Sequence, residues 1–124
     1  MSSEAPHVIM ADDEPDILEL LAHLLNRHGY SVESTTDGEQ VLELINQKRP
    51  DVILLDVHMG DTDGSELCKK LKRTDASKNI PVVMVSSDSN LEQIARICSA
   101  DGYISKPVEI KDLLDLMQKV RSAR

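Results

Sequence analysis

The sequence predicts an α/β fold in which a parallel β-sheet is covered by helices on both faces. Apolar segments of strand length alternate with amphipathic segments of helix length along the chain, and this alternation is typical of parallel sheets. Residues 52–55 and 82–85 are uninterrupted apolar runs, as expected of strands buried on both faces. The chain of 124 residues has the size of one ordinary domain.

Five strands and five helices account for most of the chain. The strands are predicted at roughly residues 7–11, 30–35, 52–55, 81–86 and 102–105. The helices are predicted at roughly residues 15–28, 38–48, 64–73, 90–99 and 109–122.

The first and last helices are predicted from apolar stripes at helical spacing. Pro15 suits the first turn of the first helix, and Gly29 suits its end. The stripes consist of Ile17, Leu20, Leu21, Leu24 and Leu25 in the first helix, and of Ile110, Leu113, Leu114 and Met117 in the last.

The three middle helices are predicted from capping residues at their amino ends. An Asp, Ser or Thr followed three residues later by Glu can form a capping box. Such pairs precede each helix, and they are Thr36 with Glu39, Asp63 with Glu66, and Ser89 with Glu92.

The composition excludes several classes of function. The formal net charge of −8 argues against binding to nucleic acid, which requires clustered Lys and Arg. Trp and Phe are absent, and only Tyr30 and Tyr103 are aromatic, which argues against an aromatic-lined cofactor pocket. Cys68 and Cys98 are too few for a zinc site or a disulfide framework, so we interpret them as small core residues.

The chain shows no sign of a membrane or secreted protein. No apolar run approaches the ~20 residues of a transmembrane helix, so membrane insertion is not predicted. Residues 1–6 are short and polar, and we interpret them as an N-terminal tail rather than a signal peptide. We expect one domain over residues 7–124, acting alone in the cytoplasm.

Four charged residues stand at the carboxyl ends of predicted strands. Asp12 and Asp13 follow the first strand, Asp56 closes the third, and Lys106 follows the fifth. Ligands of open parallel sheets bind outside the carboxyl ends of the strands, where the strand order reverses. We therefore expect these four side chains to converge on one pocket.

Three acids in one pocket call for a cation. Two carboxylates ~4 Å apart repel by roughly 4 kcal/mol at an effective dielectric constant of 20. Mg²⁺ prefers oxygen ligands and keeps several waters, with Mn²⁺ as a second candidate. We expect Asp13 and Asp56 to bind the metal directly and Asp12 to act through water.

The same pocket suits phosphoryl transfer. A carboxylate is a competent nucleophile toward phosphorus, so Asp56 could form an aspartyl phosphate. Such a transfer needs alignment and charge neutralisation, which Mg²⁺ and Lys106 would supply. The hydroxyl of Ser86, at the end of the fourth strand, could donate a hydrogen bond to the new phosphoryl group.

Each residue also has a simpler interpretation when it is taken alone. The acidic pair Asp12 and Asp13 could cap the first helix. Asp56 could be a turn residue, Lys106 a solvated lysine and Ser86 a loop hydroxyl. Their joint placement at the strand ends favours the site.

Four short segments resemble the signature of response-regulator receiver domains, and the resemblance covers about residues 7–122. It implies a flavodoxin-like, doubly wound fold with strand order 2-1-3-4-5. The segments are Met10–Pro15, Leu54–Asp56, Val83–Ser86 and Tyr103–Pro107.

The resemblance also implies a role for each matching residue. Asp56 matches the phosphoacceptor and Lys106 the lysine that contacts phosphate. Asp12 and Asp13 match the acidic pair, and the backbone carbonyl of His58 matches the third metal ligand.

The remaining matches concern switching. Ser86 matches the switch hydroxyl and Tyr103 the switch aromatic residue. The peptide bond before Pro107 would be cis. Family members carry different residues at the positions of His58 and Asp88, and this variation affects how fast the phosphate is lost.

The leading functional hypothesis is therefore a signalling switch of a two-component phosphorelay. It would accept phosphate from a sensor histidine kinase or a histidine phosphotransfer protein. Phosphorylation would then change the face formed by its fourth helix, fifth strand and fifth helix, which a downstream protein target would recognise. It would be no enzyme beyond its own phosphorylation and dephosphorylation. The first alternative is a pseudo-receiver that binds proteins without phosphate, which the retained acids, Ser86 and Lys106 disfavour.

Two further alternatives belong to other functional classes. A phosphohydrolase commonly has a second acid two residues after its nucleophile, where this chain has His58. An FMN carrier would need aromatic residues and a phosphate loop rich in glycine and hydroxyl groups.

Overall fold

The computed structural model describes residues 5–123, and its main sheet is five-stranded and parallel, as predicted. The expected tail at residues 1–6 falls mostly on residues 1–4, which lie outside the described part. The strand order is β2-β1-β3-β4-β5, which confirms the doubly wound topology. The strands are β1 (His7–Ala11), β2 (Ser31–Thr35), β3 (Val52–Asp56), β4 (Val82–Ser86) and β5 (Gly102–Ser105).

Five helices connect and follow the strands, close to their predicted places. The second helix is preceded by a 3₁₀ turn at Gly38–Gln40. The helices are α1 (Pro15–Arg27), α2 (Val41–Gln47), α3 (Gly64–Arg73), α4 (Leu91–Ile97) and α5 (Ile110–Ser122).

The sheet separates two apolar cores, because successive side chains on a strand point to opposite faces. On β1, Ile9 and Ala11 join the core beneath α2, α3 and α4, whereas Val8 and Met10 join the core beneath α1 and α5. The central strands β3 and β4 alternate in the same way and are fully buried. This double coverage explains why their sequences are continuously apolar.

The capping predictions were partly wrong. Asp63 caps α3 as predicted, with Oδ1 accepting from the amides of Ser65 (2.9 Å) and Glu66 (3.4 Å). The 3₁₀ turn before α2 is capped by Asp37 rather than Thr36, because the Asp37 carboxylate accepts from the Glu39 amide at 2.9 Å.

The fourth helix is also shorter than predicted. It begins after Asn90 without a side-chain cap, so Ser89 does not cap it. A two-stranded hairpin of His58–Met59 and Thr62–Asp63, which the sequence did not indicate, follows β3.

The helices α1 and α4 end with the same hydrogen-bond pattern, in which a residue with positive φ follows the C-cap. That residue is Gly29 after α1 (φ 92°) and Ser99 after α4 (φ 64°). The bonds are Gly29 N to Asn26 O (3.1 Å), Tyr30 N to Leu25 O (3.0 Å), Ser99 N to Arg96 O (3.3 Å) and Ala100 N to Ala95 O (2.9 Å).

Candidate functional site

The acidic pair lies at the carboxyl end of β1, where the chain turns into α1. Asp12 is buried and Asp13 is exposed. The Asp12 carboxylate accepts a hydrogen bond from the Glu14 amide at 2.9 Å. The N-cap of α1 is Glu14, and it makes no side-chain capping bond. Helix capping by the acidic pair is therefore not its role here.

Asp56 is the last residue of β3, the central strand of the sheet. The residue is 4% exposed, and Oδ1 accepts a hydrogen bond from the His58 amide at 3.2 Å. Burial raises the pKa of the Asp56 carboxyl, although bonds from Lys106 and the His58 amide act in the opposite direction. The carboxylate is thus held in place in an environment that disfavours its charge.

Carboxylate oxygens of Asp12, Asp13 and Asp56 all lie within 4.8 Å of one another. At such a distance two carboxylates repel by roughly 3 kcal/mol at an effective dielectric constant of 20. A cluster made only of carboxylate oxygens suits a hard divalent cation such as Mg²⁺. The donor set therefore fits the metal that the sequence suggested.

Lys106 follows β5 and reaches across the strand ends into the acidic cluster. Its Nζ lies 3.0 Å from Asp12 Oδ2, 3.1 Å from Asp56 Oδ2 and 3.4 Å from Glu14 Oε1. Burial alone would lower the pKa of Lys106, but the hydrogen bonds to Asp12 and Asp56 outweigh it and raise the pKa. The side chain is therefore a fixed cation at neutral pH.

Glu14 is a contact of Lys106 that the sequence analysis missed. Its only signal in the sequence was its place directly after the acidic pair.

The peptide bond between Lys106 and Pro107 is cis, which is the geometry that the resemblance implied.

Ser86 ends β4, and the residue is 1% exposed. Its Oγ accepts a hydrogen bond from the Asp88 amide at 3.0 Å, and the Lys106 amide donates to its backbone carbonyl at 3.0 Å. Backbone bonds therefore tie the ends of β4 and β5 together beside the acidic cluster.

Tyr103 does not join the cluster. It lies on the edge strand β5, and 43% of it is exposed. In register it is opposite Met84, two residues before Ser86. The role of Tyr103 as the switch aromatic residue stays a prediction.

The imidazole of His58 points to the neighbouring loop. Its Nε2 lies 2.8 Å from Asp88 Oδ2, and the imidazole is 70% exposed. Neither histidine nitrogen belongs to the carboxylate cluster, whose members are three acids among the described residues. The role of the His58 backbone carbonyl as a metal ligand stays a prediction.

Comparison with known proteins identifies the family. The family model for the response regulator receiver domain matches residues 8–118. The chain belongs to the response-regulator receiver domains. Response regulator MprA of Mycolicibacterium vanbaalenii is 37% identical over 113 residues, which cover 90% of this chain and 48% of that relative. The receiver domain thus spans about half the length of the curated relatives it matches.

Solved receiver structures share the fold over almost the whole chain. The chemotaxis response regulator CheY4 of Vibrio cholerae has a TM-score of 0.85 at 30% identity, covering 94% of this chain and 98% of that one. The receiver domain of a signal transduction histidine kinase from Syntrophus aciditrophicus has a TM-score of 0.86 at 30% identity, with coverages of 96% and 92%. Within the described residues, no helix has the length and apolar character to cross a membrane.

Proposed function

We propose that this receiver domain accepts a phosphoryl group on Asp56 from a phosphohistidine of a partner protein. The observation that carries the proposal is the Lys106 ammonium, which lies within 3.1 Å of both Asp12 and Asp56. A fixed cation beside a nucleophilic carboxylate is what phosphoryl transfer requires, since catalysis there is mostly positioning and charge neutralisation. The partner would be a sensor histidine kinase or a histidine phosphotransfer protein.

In the transfer, a carboxylate oxygen of Asp56 forms a bond to phosphorus while the phosphorus–nitrogen bond of phosphohistidine breaks. The imidazole leaves with the electron pair. The His58 amide orients Asp56 by its bond to Oδ1, and Lys106 neutralises the charge that gathers on the phosphoryl oxygens.

The cluster of Asp12, Asp13 and Asp56 would hold Mg²⁺, with the backbone carbonyl of His58 as a further ligand. When bound, Mg²⁺ supplies positive charge for the phosphoryl oxygens. Mn²⁺ has similar ligand preferences.

Phosphorylation would then change the face formed by α4, β5 and α5. A phosphoryl group adds about −1.5 to −2 charge and three strong acceptors. The Ser86 hydroxyl accepts from the Asp88 amide and keeps its own proton, which it can donate to the phosphoryl group. Its movement would open space for the Tyr103 ring to turn inward, and a downstream protein target would recognise the altered face.

Small-donor phosphorylation tests the proposal. Incubation with an acyl phosphate and Mg²⁺ should add one phosphoryl group, which peptide mapping should place on Asp56. Asp56→Asn should abolish the uptake, whereas Asp61→Asn, which removes an exposed acid from the next loop, should retain it. Undiminished uptake by Asp56→Asn would refute the assignment.

A further inference from the structure

Two cysteines from different helices lie together in the core beneath α2, α3 and α4. Cys68 belongs to α3, and Cys98 is the C-cap of α4. Both are 0% exposed and reduced. The Cys68 thiol donates to the backbone carbonyl of Cys98, with Sγ and O 3.4 Å apart.

Both cysteine side chains belong to the same buried apolar core. The Cys98 thiol further bonds the carbonyl of Ala95 at 3.6 Å. The Cys68 sulfur therefore lies against residue Cys98, although 30 residues separate the two in the sequence.

We propose that Cys68 and Cys98 form an intrachain disulfide when the protein meets a peroxide, and that this cross-link fixes the end of α4 to α3. Cytosolic disulfides are usually transient and redox-sensing, and this pair joins two helices of a predicted signalling domain. The cross-link itself does not depend on phosphorylation at Asp56.

The chemistry balances with hydrogen peroxide as the oxidant. One cysteine thiolate attacks a peroxide oxygen, the O–O bond breaks, and a sulfenic acid and water result. The second thiol then displaces the sulfenic oxygen as a second water, and the S–S bond forms. The two sulfurs lose two electrons in all, and the peroxide takes them up.

The end of α4 offers a route for the oxidant. The helix has seven residues and begins without a side-chain cap, so few hydrogen bonds within it oppose its opening. Directly after Cys98, Ser99 holds a φ of 64°, which is unfavourable for a residue other than glycine. Local opening of this last turn would expose Cys98 without unfolding the sheet.

In the closed state the pair should react slowly. The Cys98 side chain and burial together raise the pKa of the Cys68 thiol well above its ordinary value. A buried, protonated thiol is a poor nucleophile. Both cysteines are also fully buried, so the reaction is expected to follow the opening of α4.

The test uses the full chain treated with hydrogen peroxide, then denatured and alkylated. The wild type should lose both alkylatable thiols and two hydrogens of mass, map to one Cys68–Cys98 peptide, and regain both thiols with dithiothreitol. Cys68→Ala and Cys98→Ala should each yield no intrachain link. The proposal fails if both wild-type thiols stay alkylatable, or if the only products are sulfinic acids or linked dimers.

The effect on α4 has its own readout, and this part rests on the proposed function. Beryllofluoride with Mg²⁺ should shift the amides of residues 91–97 less in the oxidised than in the reduced protein. Equal shifts in both forms would overturn the fixing of α4. Failure of the reduced protein to respond at all would count against Asp56 phosphorylation, while the disulfide would still be judged by its mass and peptide map.

Discussion

Gly64 packs against the backbone carbonyl of Asp56, leaving no room for a side chain. A Cβ on Gly64 would overlap the Asp56 carbonyl oxygen and lie 2.9 Å from its carbon and 3.0 Å from Val57 Cα. The Gly64 amide also donates to the Val57 carbonyl at 2.8 Å. The first residue of α3 is thus pressed against the strand end that carries the proposed phosphoacceptor.

Gly64→Ala should therefore destabilise the protein by about 3 kcal/mol, because backbone atoms would have to move. It should also weaken Mg²⁺ binding, since the shift displaces Asp56. Gly60→Ala is the matched control. Gly60 has a φ of 57° and no atom within 4 Å of a built Cβ, so only backbone strain of about 1 kcal/mol is expected there. Chemical denaturation that gave equal losses for both variants would contradict the packing argument.

The main features of this fold and site could be predicted because they depend on local apolar pattern. The run Val52–Asp56 is buried on both faces, so its sequence is apolar until the chain reaches the edge of the sheet. The first polar residue there, Asp56, necessarily lies at the strand's carboxyl end. The same argument placed Asp12 at that edge, and Lys106 lies there because it directly follows β5. Parallel pairing brings the three side chains together.

The errors arise where neighbouring residues offer similar chemistry. Thr36 and Asp37 are both good N-caps, and the choice is decided by Thr35. The Thr35 hydroxyl accepts from the Asp37 amide at 3.0 Å and donates to Gln40 at 2.7 Å, which leaves the Asp37 carboxylate facing the turn. The Cys68–Cys98 contact could not be predicted either, because it depends on how α3 and α4 pack.

Asp63 should give α3 a stability that depends on pH. Hydrogen bonds from Ser65 lower the pKa of the Asp63 carboxyl despite partial burial. A lowered pKa means that the contribution is fully present above the ordinary Asp value of ~3.9 and is lost as pH falls through the folded-state pKa.

Asp63→Ala should cost about 1 kcal/mol at neutral pH, and the difference from the parent should shrink in acid. Asp63→Asn keeps a good capping acceptor without a titrating charge, so its loss should be smaller and independent of pH over this range. Thermal unfolding at pH values on both sides of ~3.9 makes the comparison. A cost for Asp63→Ala that did not change with pH would rule out the carboxylate as the stabilising group.

Asp56→Asn should stabilise the metal-free protein. The pKa of Asp56 is raised chiefly by burial, so the folded state holds the proton more tightly than the unfolded state. The unfolding free energy therefore falls as pH rises from ~3.9 through the folded-state pKa, and the penalty persists at neutral pH. Removing the charge should therefore raise the free energy of unfolding at neutral pH.

The measurement requires protein treated with chelator. Mg²⁺ should stabilise the parent and thereby reduce the difference in stability between the parent and Asp56→Asn. Asp61→Asn makes the same change in net charge at an exposed position and should stay within about 0.5 kcal/mol of the parent. If Asp56→Asn were less stable than the parent in the presence of chelator, the bond between Lys106 and the Asp56 carboxylate would outweigh the cost of burying that charge.

Asp13 should matter more than Asp12 for Mg²⁺ affinity. Both oxygens of Asp12 already have partners, the Glu14 amide at 2.9 Å and Lys106 at 3.0 Å. Asp13 is exposed beside them and belongs to the same cluster of carboxylates. Asp13→Asn should therefore weaken Mg²⁺ binding at least tenfold, about 1.4 kcal/mol, and Asp12→Asn less. Calorimetric titration makes the comparison, and an unchanged affinity in Asp13→Asn would remove it from the ligand set.

Ser99→Gly should stabilise the protein, whereas Gly29→Ala should destabilise it. The two residues follow the C-caps of α4 and α1 with positive φ and the same hydrogen-bond pattern, but only α1 has the glycine that suits this conformation. Left-handed backbone costs a residue with a Cβ about 1–2 kcal/mol, part of which the flexibility of glycine in the unfolded chain offsets.

We expect a gain of about 0.5–1 kcal/mol in the free energy of unfolding for Ser99→Gly. We expect a loss of about 1 kcal/mol for Gly29→Ala, where a built Cβ has nothing within 4 Å and only strain acts. Ser99→Ala keeps the strain and should be nearly neutral. Urea denaturation measures the free energy of unfolding of all three variants, provided that their m-values are unchanged. A Ser99→Gly variant no more stable than Ser99→Ala would show that the end of α4 is not strained.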